Sequence, residues 1–419
     1  MRELRNLGLL AGPILLLLCG LGVLEIMHHP GIDPVNEGLA AFLVLLMLVT
    51  EGLLPKFGSG RPLFFPIAVF LSCIGVLMTA RLVPGLFRMQ LCWVIAGICV
   101  YWVVILCKRY LFRVTEYPYV LGMLCLGLLI LPLIAGTEIG GSRNWIAIGA
   151  ITIQPSEFGK IILILFLAAY LSDHRAVLTE KLQKILCFSL PPLRFIAPLL
   201  LIWGMAILLF VVARDLGSAL LFFGIAIFMT YMATGSKSYV AIALSFFSAA
   251  SCVSYMLFSH VRVRVAIWLH PWQDPTGMAY QIVQSLFAIG TGGIWGVGFA
   301  HGNPDMIPAV HTDFILSAIA EELGFLGITA VLLAYLFLFY RAIKTAFAQK
   351  QAVYSLIAAG CGTVFLLQAF IITAGVTKFL PLTGITLPFV SYGGSSMIAS
   401  FILLAILTIL EKEGDDGRV

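Results

Sequence analysis

Hydrophobic positions in this chain do not alternate with polar ones; they come in long apolar runs such as Leu7 to Met27 and Gly217 to Thr234. Runs of about 20 apolar residues match the thickness of a bilayer rather than the narrow apolar stripe of a soluble helix. Twelve such spans are predicted, near 7–27, 38–54, 63–84, 90–107, 119–135, 156–172, 195–212, 216–234, 238–258, 313–340, 352–375 and 386–410. In hydrocarbon every backbone polar group must be satisfied internally, which leaves helices or a closed barrel. The ten-residue alternating strands of a barrel are absent, so the pattern predicts an all-α polytopic membrane protein.

Composition agrees with this reading. Of 419 residues, 61% are hydrophobic and 11% charged, against a globular norm of roughly 25% charged. With the N-terminus placed in the cytoplasm, most of the 25 Lys and Arg residues fall on the cytoplasmic side and both termini lie there. The net charge of +5 follows from that distribution and needs no nucleic acid. The first run follows Arg2 and Arg5 and lacks a small-residue cleavage site, so it is expected to be retained. Six of the nine cysteines, Cys19, Cys73, Cys99, Cys125, Cys252 and Cys361, sit inside apolar runs and read as packing residues.

Most connections are short, but one outward segment, at about 259–312, is not. It carries Trp268, Trp272, Asp274, Tyr280, Gln281, Trp295 and four histidines, and it reads as a cover over an active site. Its Gly290–Gly293 stretch lacks a following Lys-Ser/Thr pair and is no nucleotide loop. His28 and His29, without further ligands, read as interfacial residues rather than a metal site.

Four stretches carry candidate chemistry. His311-Thr312-Asp313 precedes an apolar helix containing Glu321 and Glu322, and Thr312 or Asp313 can cap it. The same helix dipole would keep Asp313 ionised, able to accept a proton from a substrate hydroxyl. Gly141 to Lys160 holds Arg143, suited to a phosphate or a headgroup, and then Glu157 and Lys160, three apart on one helix face. Those two could neutralise each other or serve a substrate. Arg214-Asp215-Leu216-Gly217 is a tight turn in which Arg214 and Asp215 could simply pair. Leu380 to Ser396 breaks a span with Pro and Gly and lines it with hydroxyls, as helices bordering a cavity do, or as a kink that lets neighbours approach.

Taken together and in this order, these stretches resemble the shape, elongation, division and sporulation (SEDS) family. The resemblance implies a core of ten spans over 63–419 preceded by a two-helix addition at 1–62. It also implies a peptidoglycan glycosyltransferase in the bacterial cytoplasmic membrane, polymerising lipid II on the outer face beside a class B penicillin-binding transpeptidase. Carried over by motif, the family's loop aspartate is Asp313, which would activate the acceptor sugar's 4-hydroxyl against a donor held by its lipid pyrophosphate. Arg143, Lys160 and Arg214 would serve the phosphates, with Glu157 positioning Lys160 and Glu321 backing the Asp313 cavity. Asp215, Tyr280, Gln281, His311, Thr312, Ser391 and Ser395 complete the expected substrate-binding set. A divalent cation, magnesium or manganese, would suit the pyrophosphate, although no ligand cluster marks one. The chain departs from the family pattern at Asn144, Arg214 and Ala279, where Arg, Pro and Gly are usual. A lipid II flippase and a non-catalytic scaffold for the transpeptidase are the competing readings; the gathering of unusual chemistry on the outer side favours the enzyme.

Overall fold

The structure is a computed structural model that describes residues 2–29, 33–57, 63–139, 141–149, 151–180, 183–185, 188–190 and 193–416. The expected boundary at residue 62 and the motif residue Ala150 lie outside these. In chain order the helices are α1 (Arg2–Ile26), α2 (Pro34–Phe57), α3 (Phe64–Leu82), α4 (Pro84–Leu106), α5 (Lys108–Arg113), α6 (Pro118–Ala135), α7 (Pro155–Asp173) and α8 (Arg175–Glu180). They continue as α9 (Leu193–Val212), α10 (Leu216–Thr234), α11 (Lys237–Leu257), α12 (Ser259–Leu269), α13 (Tyr280–Gly292), α14 (Ile315–Ala348), α15 (Ala352–Val376) and α16 (Gly394–Asp416). Eleven of them are long and apolar enough to cross a membrane, and Ala197–Val212 of α9 is apolar but shorter.

Prolines mark several starts. Pro84, Pro118 and Pro155 open α4, α6 and α7, where the missing N–H costs no helical hydrogen bond. Helix α7 packs on α6 and α15, α16 packs on α4, and α14 runs against α15. Helices α3, α7, α15 and α16 are enclosed on most sides, which explains runs that are apolar all round. At the periphery α11 buries no residue. The N-terminal pair packs with α1 along α3 and α2 along α4.

Three expected stretches take a different form. The connection at 137–153 folds into a small antiparallel sheet, β1 (Thr137–Ile139), β2 (Ser142–Ile148) and β3 (Ile151–Ile153), in the order β1-β2-β3. The segment at 259–312 is not an irregular loop, because α12 and α13 lie within it. The span expected over 386–410 begins only at Gly394. Pro388 has no N–H to give a helix and Phe389 takes a left-handed φ of 66°. Likewise α14 is interrupted at Gly324, whose φ of 66° and ψ of −167° divide a half-helix, 315–323, from the long remainder. Residues 293–298 satisfy the interrupted backbone: Val297 and Gly298 donate to the carbonyls of Glu321 and Glu322, and Phe325 and Leu326 donate to Gly293 and Ile294.

Candidate active site

The segment between α15 and α16 is the hub on which the motif stretches converge. Its backbone cannot close a helix, so its hydroxyls and carbonyls bond elsewhere. Ser391 donates to the Thr312 carbonyl (2.5 Å) and accepts from Leu387 N–H, while Tyr392 N–H donates to the His311 carbonyl (2.8 Å). Ser395 accepts from Gln154 N–H (3.0 Å), and the Thr386 carbonyl accepts from Gln368 (3.3 Å). Ser391 and Ser395, expected against substrate, thus spend their hydroxyls on positioning the backbone before α14 and α7.

Asp313 lies in the turn before α14. It does not cap that helix: the cap position is Phe314, with no side-chain acceptor. Its carboxyl is half-buried, receives the Thr312 hydroxyl (2.7 Å) and faces Gly384, where an added Cβ would lie 3.7 Å from Oδ2. Burial raises the Asp313 carboxyl above the usual carboxylate range, outweighing the Thr312 hydrogen bond and the nearby His311 and Arg264 that lower it. The expectation that the helix dipole favours ionisation is therefore reversed in sign: desolvation dominates. A carboxylate raised in this way is a stronger base when ionised. Burial pushes the His311 imidazole below its usual range, and its ring meets Tyr392 edge-on at 5.7 Å.

The other motif acids are satisfied by the protein. Asp215 is buried at the N-cap of α10, where it accepts from Ser218 N–H (3.0 Å), the Ser218 hydroxyl (2.7 Å), Asn144 (2.6 Å) and Gln154 (3.4 Å). It does not pair with Arg214, as one sequence reading allowed; Arg214 turns outward to Glu138 at 3.5 Å. Glu157 and Lys160 are buried and joined at 2.5 Å, and Lys160 also donates to Gln368 (3.1 Å). Glu321 accepts from Asn303 N–H (2.8 Å). Arg143 is exposed and donates through Nε to the Gly136 carbonyl (3.3 Å). Tyr280 opens α13 half-buried, and Gln281 reaches the Pro308 carbonyl (3.3 Å).

Arg264 is the residue that sequence reasoning missed. On α12, Val261, Arg264 and Trp268 share one face, which docks on the hub: Arg264 donates to the carbonyls of Leu382 (3.2 Å) and Thr383 (3.4 Å), and Trp268 donates to Lys378 (3.2 Å). The charge of Arg264 is felt at both Asp215 and Asp313. The pair Arg262 and Arg264 in the otherwise apolar run Val261 to Ile267 was the available signal. Among the described residues no three His, Cys, Asp or Glu side chains are grouped to hold a metal. The Asp313 carboxyl already accepts the Thr312 hydroxyl and belongs to no such group among the described residues, so that donor set does not fit a divalent cation.

With this geometry in place, residues 63–415 match the FTSW_RODA_SPOVE cell cycle protein family. The chain belongs to this family. Among family relatives, it is 40% identical over 359 residues to the peptidoglycan glycosyltransferase RodA of Mycobacterium tuberculosis, covering 83% of this chain and 76% of that one. It is 37% identical over 290 residues to the stage V sporulation protein E of Bacillus subtilis, covering 68% and 76%. Two solved family structures share its fold. One, described as the structural coordination of polymerization and crosslinking by a peptidoglycan synthase complex, has a TM-score of 0.67 at 26% identity, covering 84% of this chain and 97% of that one. The rod shape determining protein RodA of Thermus thermophilus has a TM-score of 0.60 at 24% identity, covering 84% and 96%.

Proposed function

We propose that this protein is a peptidoglycan glycosyltransferase that polymerises lipid II at the outer face of the bacterial cytoplasmic membrane, with both termini in the cytoplasm and Asp313 as general base. The observation that carries the assignment of the base is the state of its carboxyl: half-buried and desolvated, with the neighbouring Thr312 hydroxyl as its side-chain donor among the described residues. Asp215, by contrast, is held by Asn144, Gln154 and Ser218, and Glu157 is paired with the buried Lys160.

In the reaction, Asp313 accepts the proton of the acceptor sugar's 4-hydroxyl as that oxygen bonds to the anomeric carbon of the donor. The bond from that carbon to the pyrophosphate oxygen breaks, and undecaprenyl pyrophosphate leaves with the electron pair. Arg264, fixed by two backbone carbonyls, is the cation we assign to the developing phosphate charge, since Lys160 is buried and doubly engaged. Residues 63–419 form the catalytic core and residues 1–62 an addition to it. The relation to a synthase complex supports a class B penicillin-binding transpeptidase as partner, taking the strands for crosslinking.

Purified protein with lipid II tests this. Glycan strands that form with the wild type and vanish in Asp313→Ala, but persist in a surface variant such as Tyr110→Ala, support catalysis by Asp313. Movement of lipid II between leaflets without polymer would identify a flippase instead, and neither activity would leave a scaffold.

A further inference from the structure

The half-helix 315–323 follows directly on Asp313 and Phe314, and its two ends are held differently. Its start is held by Ser391 and Tyr392 through the carbonyls of Thr312 and His311. Midway, the Ser317 and Ser285 hydroxyls share a hydrogen bond (2.7 Å). Its far end terminates at the Gly324 interruption, where an ionic constraint is added to the backbone hydrogen bonds from residues 293–298. Glu322 accepts from Ala300 N–H (3.1 Å) and meets Arg81 Nε at 3.1 Å, while another Arg81 nitrogen donates to the Gly302 carbonyl (2.9 Å). The Glu322 side chain is fully buried and that of Arg81 is 14% exposed. In such a site an ion pair is weakly screened and geometrically restrictive.

Arg81 ends α3, and the α3–α4 turn that follows is grasped by the N-terminal pair, which lies outside the matched family region. Arg88 of α4 donates to Asn36 (3.0 Å) and Asp33 (3.1 Å) at the start of α2. Helix α1 approaches α3 so closely that a Cβ on Gly20 would lie 2.6 Å from Leu77. Beyond the end of α1, the His29 ring lies against Arg81; burial, and then that positive charge, push its imidazole below the usual range.

We propose that Arg81 is a positioning residue for the glycosyl transfer and that the two-helix addition governs it, bracing the α3–α4 turn so that the Arg81–Glu322 pair fixes this half-helix as a strut and with it the aim of Asp313. A rotation at Gly324 displaces the whole half-helix, and a misplacement near 1 Å at a reacting group can cost about 100-fold in rate. This inference rests on the function proposed above, and the test separates the two.

The experiment measures lipid II polymerisation by the full-length protein in detergent, resolving kcat from KM. Arg81→Ala lowers kcat at least about tenfold while KM stays within about twofold, because the strut carries the base rather than the substrate contacts. Arg81→Lys recovers part of that loss by restoring a charge to Glu322. Arg88→Ala, which loosens the N-terminal pair, lowers kcat at least about twofold, and that effect disappears in the Arg81→Ala background because both act through one link. If Arg81→Ala yields no folded protein, Glu322→Gln carries the test, since it keeps an acceptor for Ala300 while removing the ion pair; it reproduces the kcat loss. Unchanged kcat in Arg81→Ala or Glu322→Gln overturns the positioning role, and equal Arg88→Ala effects in both backgrounds overturn control by the addition. A wild type that makes no polymer overturns the proposed function instead.

Discussion

Asp215 and Asp313 both lie within two residues of a helix start, and Arg264 feels the charge of both, yet their surroundings are opposite. Around Asp215 the sheet at 137–153 and the first turn of α10 direct Asn144, Gln154 and Ser218 onto the carboxylate, leaving it buried and engaged. Around Asp313 the facing residue is Gly384, which has no side chain to donate, and burial raises the carboxyl despite the Thr312 hydroxyl and the nearby His311 and Arg264. The first arrangement holds two helices and a sheet in register. The second leaves a desolvated carboxyl beside a fixed cation. An acid before a helix is therefore a structural pin or a reactive group according to what the rest of the fold brings to it.

Substitutions can break that contrast, and the largest effect is expected at Asp313. Asp313→Asn should lower polymerisation by roughly 100-fold to 10,000-fold, the range for loss of a general base, without lowering the melting temperature. The sign follows from linkage: a carboxyl raised in the folded state binds its proton more tightly there than in the unfolded chain, so its ionisation at neutral pH opposes folding. A lower melting temperature for this variant would contradict the contrast with Asp215. Next comes Lys160→Ala, which strands the buried Glu157 charge and should cost about 3–5 kcal/mol in a denaturation experiment. Glu157→Gln with Lys160→Met should recover most of that stability, and a recovered fold that still fails to polymerise would return Lys160 to the substrate. Arg264→Ala should weaken transition-state stabilisation by about 1.5–3 kcal/mol, read as kcat/KM for lipid II, with Arg264→Lys intermediate. Asp215→Asn, by contrast, should appear as lost stability of about 1–3 kcal/mol with smaller kinetic consequences. Finally, the pH profile of the rate should rise through a midpoint above the ordinary aspartate value of about 3.9, because the base must be ionised and burial raises it. A midpoint at or below that value would remove the desolvated environment from the account.

The apolar runs specified the helices because a bilayer leaves the backbone few alternatives, and the Asp313 motif and the Glu157–Lys160 pair could be read from residue type and spacing. Three features of the site could not. Arg264 is one of two arginines in a short helix, and its contact with the segment between α15 and α16 joins residues more than 100 positions apart. The interruption at Gly324 is hidden in an apolar run, because what permits it is the 293–298 backbone supplying the missing hydrogen bonds. The junction of His29, Arg81 and Glu322 likewise unites three segments that carry no shared local pattern.

By itself, then, the order of residues determined where the long apolar helices run, that they suit a membrane, and which few acids could carry chemistry, since these follow from local hydropathy and side-chain type. Only the tertiary structure decided which acid is left desolvated, which cation stands beside it and which partners meet Glu322 at the end of the half-helix. Those properties depend on groups brought together from distant parts of the chain, where burial and partner geometry set the energy of a charge.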